Sequence, residues 1–231
     1  MYNNQQILII KNEEDLLERI VYTADMFGRN RRKIAEISAE FINEAIIHNG
    51  LLVMVCDTTH YIDDMGLIAR KTSPYINVVV IDINTGKKWD VRDDYAIMNL
   101  HIDGRNIYYV VHESANSATG KAYVYNLDTQ TESLIKEFEF RFGYTETMFA
   151  GGYFVVSSVE TITFVSLEDG SINQIDAPDS SNPWTPILRP IVSLNTVHFS
   201  DYTGEQSNIF YEYNGSQLRT CSHSLSETNF E

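Results

Sequence analysis

Basic residues are scarce in this chain of 231 residues, and their scarcity bears on which partners it can bind. Seventeen Lys and Arg stand against 32 Asp and Glu, which gives a net charge of −15. A surface that binds nucleic-acid phosphates needs clustered Lys and Arg, so we expect no direct nucleic-acid binding. The same excess of negative charge favours a basic protein partner or a cation.

Cysteine and long apolar runs are also scarce. Only Cys56 and Cys221 are present, each in a strand-like run, so neither a disulfide framework nor a zinc site is predicted. No run of about 18 apolar residues exists, so membrane insertion is not expected. The first residues, MYNNQQILIIK, lack the basic region and the cleavage site of a signal peptide. We therefore expect a cytoplasmic or virion location, with no metal and no cofactor.

What the chain does contain is a repeated pattern of strand, turn and strand. Aromatic residues make up 12% of the sequence, including fourteen Tyr, which favours strands. The stretch VVVIDINTGKKWDV contains one such unit. Similar units recur with their turns separated by 58, 44, 40 and 45 residues. The turn positions are Gly28, Gly86, Gln130, Gly170 and Gly215.

A second family of hairpins lies between these units. Its turns are Asn49-Gly50, Asp103-Gly104, Gly151-Gly152 and Asn195-Thr196, and the Asn-Gly and Asp-Gly pairs are strong hairpin signals. Two hairpins together give four strands in about 40–45 residues, which is the spacing of a β-propeller blade. The sequence therefore predicts an all-β fold, a β-propeller of about five four-stranded blades.

We expect one domain over residues 1–231. The predicted blades are 1–40 (partial), 41–94, 95–141, 142–182 and 183–231, with an insertion at 57–75. Residues 5–10, 19–25 and 32–38 supply three strands of the first blade, and the C-terminal tail SLSETNFE would supply the fourth and close the ring with both termini. An alternative remains for residues 12–49. Apolar residues there also follow helical spacing, so a helical hairpin competes with the strands.

The turn Asp82-Ile83-Asn84-Thr85-Gly86 resembles the strand-ending turn of divergent TolB-like or PQQ-like propellers. Weaker copies occur at residues 128–130 and 168–170. The resemblance covers nearly the whole chain and identifies no specific family. The Trp-rich pattern that docks a quinone is absent, so the resemblance implies no cofactor.

Loops on one face of such a propeller carry many acidic residues. We predict this rim as the surface that binds a protein partner, with a solvated loop face as the alternative. The candidate partner-binding residues are Asp57, His60, Tyr61, Asp63, Asp64, Asp93, Asp94, Glu113, Asp201 and Glu205. His60 beside Asp63 and Asp64 has the composition of an acid–base or metal site. No nucleophile or oxyanion loop accompanies it, so we predict no catalytic residue.

The predicted function is a non-enzymatic structural or scaffolding subunit that contacts other protein subunits of an assembly, such as a phage tail or connector. One alternative is a module that binds carbohydrate or a cation. A second alternative is a five-bladed glycoside hydrolase, for which the inner strands offer Glu44 and Glu146 as carboxylates. The basic cluster Arg29, Arg31, Arg32 and Lys33 is interpreted as a solvated turn, with docking of an acidic neighbour as the alternative.

Overall fold

The computed structural model describes residues 6–13, 15, 17–62, 68–70, 75–112, 117–140, 145–158, 161–176, 189–193, 196–200, 210–213 and 218–221. Every regular element in these ranges is a β-strand, and turns and bends join the strands. The prediction of an all-β chain is therefore confirmed. None of these residues belongs to a helix long and apolar enough to cross a membrane.

Residues 12–49, for which strands and a helical hairpin competed, form strands. They contain β2 (Glu18–Ala24), β3 (Arg32–Ser38) and β4 (Phe41–His48), and β1 (Gln6–Lys11) precedes them. The helix-like spacing of Ile34 and Ile37 has a local cause. Val21 pairs with Ala35 and Tyr22 with Lys33, which leaves Ile34 as the extra residue of a β-bulge. The bulge shifts the alternation by one residue, so both isoleucines pack into the same core cluster.

The chain forms two compact units, Met1–Leu134 and Ile135–Glu231. The first unit contains sheet 1, with the order β1-β2-β3, and two four-stranded sheets. Sheet 2 consists of β4, β5 (Leu51–Asp57), β8 (Ile76–Asp82) and β9 (Lys88–Asp94), and a separate hairpin, β6 (His60–Ile62) and β7 (Ile68–Arg70), lies between β5 and β8 in the chain. Sheet 3 consists of β10 (Ala96–Asp103), β11 (Asn106–His112), β12 (Thr119–Asn126) and β13 (Thr131–Glu139), and the boundary between the units falls within β13.

The second unit contains two further four-stranded sheets. Sheet 4 consists of β14 (Thr145–Ala150), β15 (Tyr153–Ser158), β16 (Thr161–Ser166) and β17 (Ile172–Asp176). Sheet 5 consists of β18 (Arg189–Ser193), β19 (Thr196–Ser200), β20 (Phe210–Tyr213) and β21 (Leu218–Cys221). Phe154 fixes the core beside sheet 4, because its ring lies 5.0 Å from that of Phe149 and 5.5 Å from that of Phe138.

Four-stranded antiparallel sheets, as the sequence predicted, are therefore confirmed. The number of blades and the single domain over residues 1–231 stay predictions. The tail that was expected to close the ring lies in residues 222–231, outside the described part of the chain.

The central strand β5 of sheet 2 is buried on both faces, and its sequence shows why. The first six residues of β5 are all buried. Leu51, Val53 and Val55 point to one side, where they join a cluster with residues of sheet 3. Leu52, Met54 and Cys56 point to the other side, where they join residues of sheet 1. A strand with two apolar faces reads as a continuous apolar run, because neither face meets water.

The turn between β8 and β9 has the geometry that its sequence indicated. Asp82 Oδ1 accepts hydrogen bonds from the backbone N–H groups of Asn84 at 2.8 Å and Thr85 at 3.2 Å. Gly86 has φ +75°, which glycine adopts without strain. A Cβ at Gly86 would lie 2.7 Å from the backbone oxygen of Ile34 in β3. Glycine is thus required here both by the backbone angle and by the closeness of sheet 1.

Candidate functional site

One end of sheet 2 gathers several of the predicted site residues. Phe41 pairs in register with Asp57, Asp57 with Ile76, and Ile76 with Asp94. We call this end, together with the chain connections that leave it, the loop edge. Asp57 and Asp94 therefore do lie on one edge, and Asp93, which is exposed, lies next to it.

The other predicted residues are placed less completely. Tyr61 pairs with Ala69 in the β6–β7 hairpin, which fixes its backbone. The remaining candidates lie outside the described residues: Asp63, Asp64, Glu113, Asp201 and Glu205. Partner binding by the whole set stays a prediction.

His60 does contact a carboxylate, and in the described part of the chain this carboxylate belongs to Glu40. The Nδ1 of His60 lies 2.5 Å from Glu40 Oε2, and the side chains of His60 and Glu40 are 35% and 24% exposed. Because a carboxylate accepts hydrogen bonds, this contact assigns the proton to Nδ1. The backbone N–H of Glu40 donates to the carbonyl of Asp57 at 2.7 Å, which ties the pair to the loop edge.

Sequence reasoning missed Glu40, because it looked for a partner near His60 in the chain. Glu40 precedes His60 by 20 residues and lies in the connection from β3 to β4. The available signal was the expectation that, in a propeller, connections between successive blades share a face with the loops between the second and third strands of each blade. Applied to residues 39–40, that expectation would have placed Glu40 near the insertion.

The base of the insertion is fixed by hydrogen bonds. Asp57 Oδ1 accepts from the backbone N–H of Thr59 at 2.8 Å and also from its hydroxyl group. Thr58 donates its N–H and its hydroxyl to the carbonyl of Tyr75, at 2.7 and 2.8 Å. The Tyr75 ring meets Tyr95 edge-on with centroids 5.3 Å apart. A hydrogen bond with Tyr95, and after it burial, raises the pKa of Tyr75. The side chain of Asp57 therefore stabilises the base of the insertion through its hydrogen bonds to Thr59.

An exposed aromatic side chain lies beside this base. Phe41, the first residue of β4, is 59% exposed and pairs in register with Asp57. Its neighbour in the chain is Glu40, which holds His60. Large aromatic residues that remain exposed next to polar groups are frequent anchors of protein interfaces. The sequence analysis did not single out Phe41, because an apolar residue at the start of a strand is ordinarily part of the core.

Asp94 belongs to an internal network. Arg92 donates to Asp94 Oδ2 from Nε at 3.1 Å and from Nη2 at 2.8 Å, and to Glu132 Oε2 from Nη1 at 2.6 Å. Its guanidinium lies 4.3 Å from the ring centroid of Tyr123. Burial alone would lower the pKa of Arg92, but the hydrogen bond to Asp94 and the charge of Glu132 raise it overall. Tyr109 donates its hydroxyl to Glu132, and burial, followed by this hydrogen bond, raises the pKa of Tyr109.

The carboxylate of Glu44, the candidate of the glycosidase alternative, accepts hydrogen bonds from two backbone N–H groups. Its Oε1 and Oε2 accept from the N–H groups of Asn99 and Leu100, both at 2.7 Å. Asn99 has φ +57° and lies at a bulge of β10, where consecutive N–H groups form a concave anion site. Glu44 thus joins β4 to β10. Glu146 lies on β14, and its side chain is outside the described part of the structure.

Within the described residues, no group of three or more His, Cys, Asp or Glu side chains is placed so that it could hold a metal ion. The loop edge of the described structure therefore offers a hydrogen-bonded His–Glu pair, an exposed aromatic ring and an exposed aspartate.

The comparisons with known proteins show the fold. No family model and no curated protein matches the sequence. Among solved structures, the β-propeller domain of the trilobed protease from Pyrococcus furiosus is 13% identical, with a TM-score of 0.60, over 96% of this chain and 68% of that one. TolB from Acinetobacter baumannii is 12% identical, with a TM-score of 0.55, over 95% of this chain and 53% of that one.

An oligogalacturonate lyase, solved with manganese, is 11% identical, with a TM-score of 0.56, over 91% of this chain and 56% of the lyase. At these identities the likeness concerns the fold alone. The chain has a β-propeller fold, and the predicted resemblance to divergent TolB-like propellers is confirmed at that level. It spans about half of the length of the TolB and lyase chains.

One prediction is contradicted by this comparison. The sequence analysis concluded that the protein is not an enzyme, from the absence of a recognisable nucleophile. Yet the same fold occurs in the lyase and in acylaminoacyl peptidases. The absence of a familiar catalytic motif therefore does not exclude catalysis by a propeller chain, and the prediction that this protein is not an enzyme was wrong.

Proposed function

We propose that this chain is a protein-recognition β-propeller and that the loop edge of sheet 2 is its binding surface. The observation that carries this proposal is the side chain of Phe41, which is 59% exposed at that edge beside the His60–Glu40 pair. Aromatic side chains are enriched at the centres of protein interfaces, where the surrounding contacts exclude water. A binding role does not exclude catalysis by the same protein.

The insertion supports the proposal. The insertion between β5 and β8 interrupts the regular order of strands, because it carries the separate β6–β7 hairpin. Both ends of the insertion are held, since Thr58 bonds to Tyr75. Loops on a rigid scaffold are where proteins most often carry binding. A fixed base lowers the entropy that the loop loses when a partner binds.

The charge of the edge indicates the kind of partner. Asp93 is exposed there, and the chain as a whole carries −15. A partner with a basic rim around an apolar pocket would complement Phe41 and its neighbours, and the field would speed its encounter. We further propose that this recognition serves a larger assembly. A phage tail or connector is one version, which rests on net charge alone and draws no support from the protein comparisons.

The test is affinity purification from the cells that encode the protein, with wild type, Phe41→Ser and Ile172→Ser as baits and quantitative mass spectrometry as the readout. Ile172 is a matched control, because it is 55% exposed on β17. We expect one or more proteins to be lost with Phe41→Ser and kept with Ile172→Ser. An unchanged partner set for Phe41→Ser, with circular dichroism showing an intact fold, would contradict the proposal. Binding to a glycan array that Phe41→Ser abolishes would instead favour the carbohydrate alternative.

A further inference from the structure

We propose that two adjoining turns at the other end of sheets 1 and 2 form a docking surface for an acidic segment of a partner protein. The first consists of residues 25–33, which join β2 to β3 and include the first two residues of β3. The second consists of residues 82–88, which include the last residue of β8 and the first of β9, and we call the two together the basic turn surface. Asp82 pairs with Leu51, whereas Asp57 pairs with Ile76, so this surface and the loop edge lie at opposite ends of sheet 2. The proposal does not depend on the function proposed above.

The two turns form one continuous surface because they touch each other. Arg32 Nη2 donates to the carbonyl of Ile83 at 3.2 Å. Lys88 Nζ donates to the carbonyl of Glu36 in β3, also at 3.2 Å. Gly86 approaches the backbone of β3 so closely that no side chain fits between them.

Positive charge is concentrated here in a chain that has little of it. Six of the 17 basic residues lie on this surface, and all six are exposed: Arg29, Arg31, Arg32, Lys33, Lys87 and Lys88. Lys33 pairs with Glu36. Within the part of the chain that the structure describes, no carboxylate forms a salt bridge with any of the three arginines. Their guanidinium groups remain available to carboxylates of another molecule.

An apolar side chain stands among these charges. Phe27 is 83% exposed, more than any other large apolar residue in the described structure, and Met26 beside it is 47% exposed. The turn that presents it is well ordered by Asp25, whose Oδ1 accepts from the N–H groups of Phe27 at 2.9 Å and Arg29 at 2.8 Å. Asp25 Oδ2 accepts from the side-chain amide of Asn30 at 3.0 Å. An aromatic ring on a hydrogen-bonded turn, beside arginines that form no salt bridge in the described structure, has the composition of a binding anchor.

The size and charge of the surface favour a short acidic segment over other anions. Arginine binds carboxylates through two parallel hydrogen bonds, and an apolar residue of the segment would cover Phe27. Exposed charges interact within a Debye length of about 8 Å at physiological salt. A short segment therefore meets only the basic turns. A nucleic acid extends over a longer path and would be repelled by the remainder of a chain that carries −15.

The first step of the test is a displayed library of random peptides, panned on the wild-type protein and counter-selected on the double variant Arg29→Glu, Arg31→Glu. We expect enrichment of peptides that combine several Asp or Glu with at least one large apolar residue. Enrichment of basic or uncharged peptides, or no enrichment specific to wild type, overturns the proposal.

The second step measures an enriched peptide by fluorescence anisotropy. We expect Phe27→Ser to weaken its binding about tenfold, as the loss of one buried apolar anchor does. The double charge reversal should weaken it roughly a hundredfold or more. Leu134→Ser and Arg105→Glu are matched controls, because each alters an exposed residue of the same type outside the surface, and they should bind as wild type does.

The same experiment separates other occupants. All variants should keep the wild-type circular dichroism spectrum and melting temperature within the error of measurement. Tighter binding of single-stranded RNA than of the peptide would assign the surface to nucleic acid and overturn the proposal. Concentration-dependent dimerisation in the ultracentrifuge that Phe27→Ser abolishes would assign it to a second copy, with the same consequence.

Discussion

Replacing Gly86 by alanine tests the contact between sheets 1 and 2 directly. The turn residue has φ +75°, and its ideal Cβ lies 2.7 Å from the backbone oxygen of Ile34. That atom belongs to a paired strand, so it cannot move aside as the end of a flexible side chain does. Gly28 is a matched control, because it has φ +73° in the corresponding turn of sheet 1 and no atom within 4 Å of its Cβ position.

Both substitutions place a side chain in the left-handed region of backbone conformation, and Gly86→Ala also brings that side chain too close to β3. A non-glycine residue in the left-handed region costs about 1–2 kcal/mol, and the stiffer unfolded chain returns about 0.4–1 kcal/mol of it. Gly28→Ala should therefore destabilise the protein by roughly 1 kcal/mol or less. Gly86→Ala adds the overpacking of a close contact, which costs about 1–3 kcal/mol. We expect its total to be about 1–4 kcal/mol.

The measurement is thermal unfolding followed by circular dichroism. A domain of this size loses about 2–4 °C in melting temperature for each kcal/mol, so Gly86→Ala should melt roughly 2–12 °C below Gly28→Ala. Equal melting temperatures for the two variants would refute the reasoning. That result would mean that the turn of sheet 2 and the strand of sheet 1 are not in contact in solution.

Two further predictions concern buried polar chemistry. Glu44→Gln replaces one carboxylate oxygen by an amide group that faces a backbone N–H of the β10 bulge and cannot accept its hydrogen bond. We expect the free energy of unfolding, measured in urea, to fall by about 2–4 kcal/mol. The exposed control Glu137→Gln should leave it unchanged. Burial, with a smaller contribution from Asp90, raises the pKa of Cys56 from 9.0 to about 12, so its thiol should react with a thiol-specific reagent only in urea. Because the folded pKa is the higher one, the contribution of Cys56 to stability is complete below pH 9.0 and is lost as the pH rises towards about 12. Fast labelling of Cys56 in the native Cys221→Ser variant at pH 8, or a midpoint that rises over that alkaline window, would contradict this account.

Local signals in the sequence predicted much of the fold, because turn chemistry and alternation act within a few residues. The turn positions Gly28, Gly86 and Gly170 have φ between +72° and +75°. Gln130, which the repeat placed at the same position, has φ +54° although it is not glycine. The repeat thus located a backbone conformation that the residue type alone would not have indicated.

The candidate site was less predictable, because it depends on contacts between distant residues. The sequence placed His60 beside Asp63 and Asp64, which lie outside the described residues, and it did not indicate the contact with Glu40 that the structure shows. Glu44 was considered for catalysis, but a bulge in β10 that no sequence pattern announced turns two N–H groups towards it. In both cases the sequence supplied the correct residue type, and the fold supplied the partner.

Sheet 2 explains why both proposed surfaces lie where they do. The faces of its central strands, β5 and β8, are covered by apolar residues of sheets 1 and 3, so these faces cannot bind a partner. The ends of the sheet reach solvent and differ in charge: Asp93 and the His60–Glu40 pair lie at one, and Lys87 and Lys88 at the other. Each end also carries an exposed aromatic ring, Phe41 or Phe27. A protein built in this way can hold a basic partner and an acidic partner at once, on opposite sides of one rigid sheet. Simultaneous binding is therefore a direct consequence of the two proposals, since neither surface shares a residue with the other.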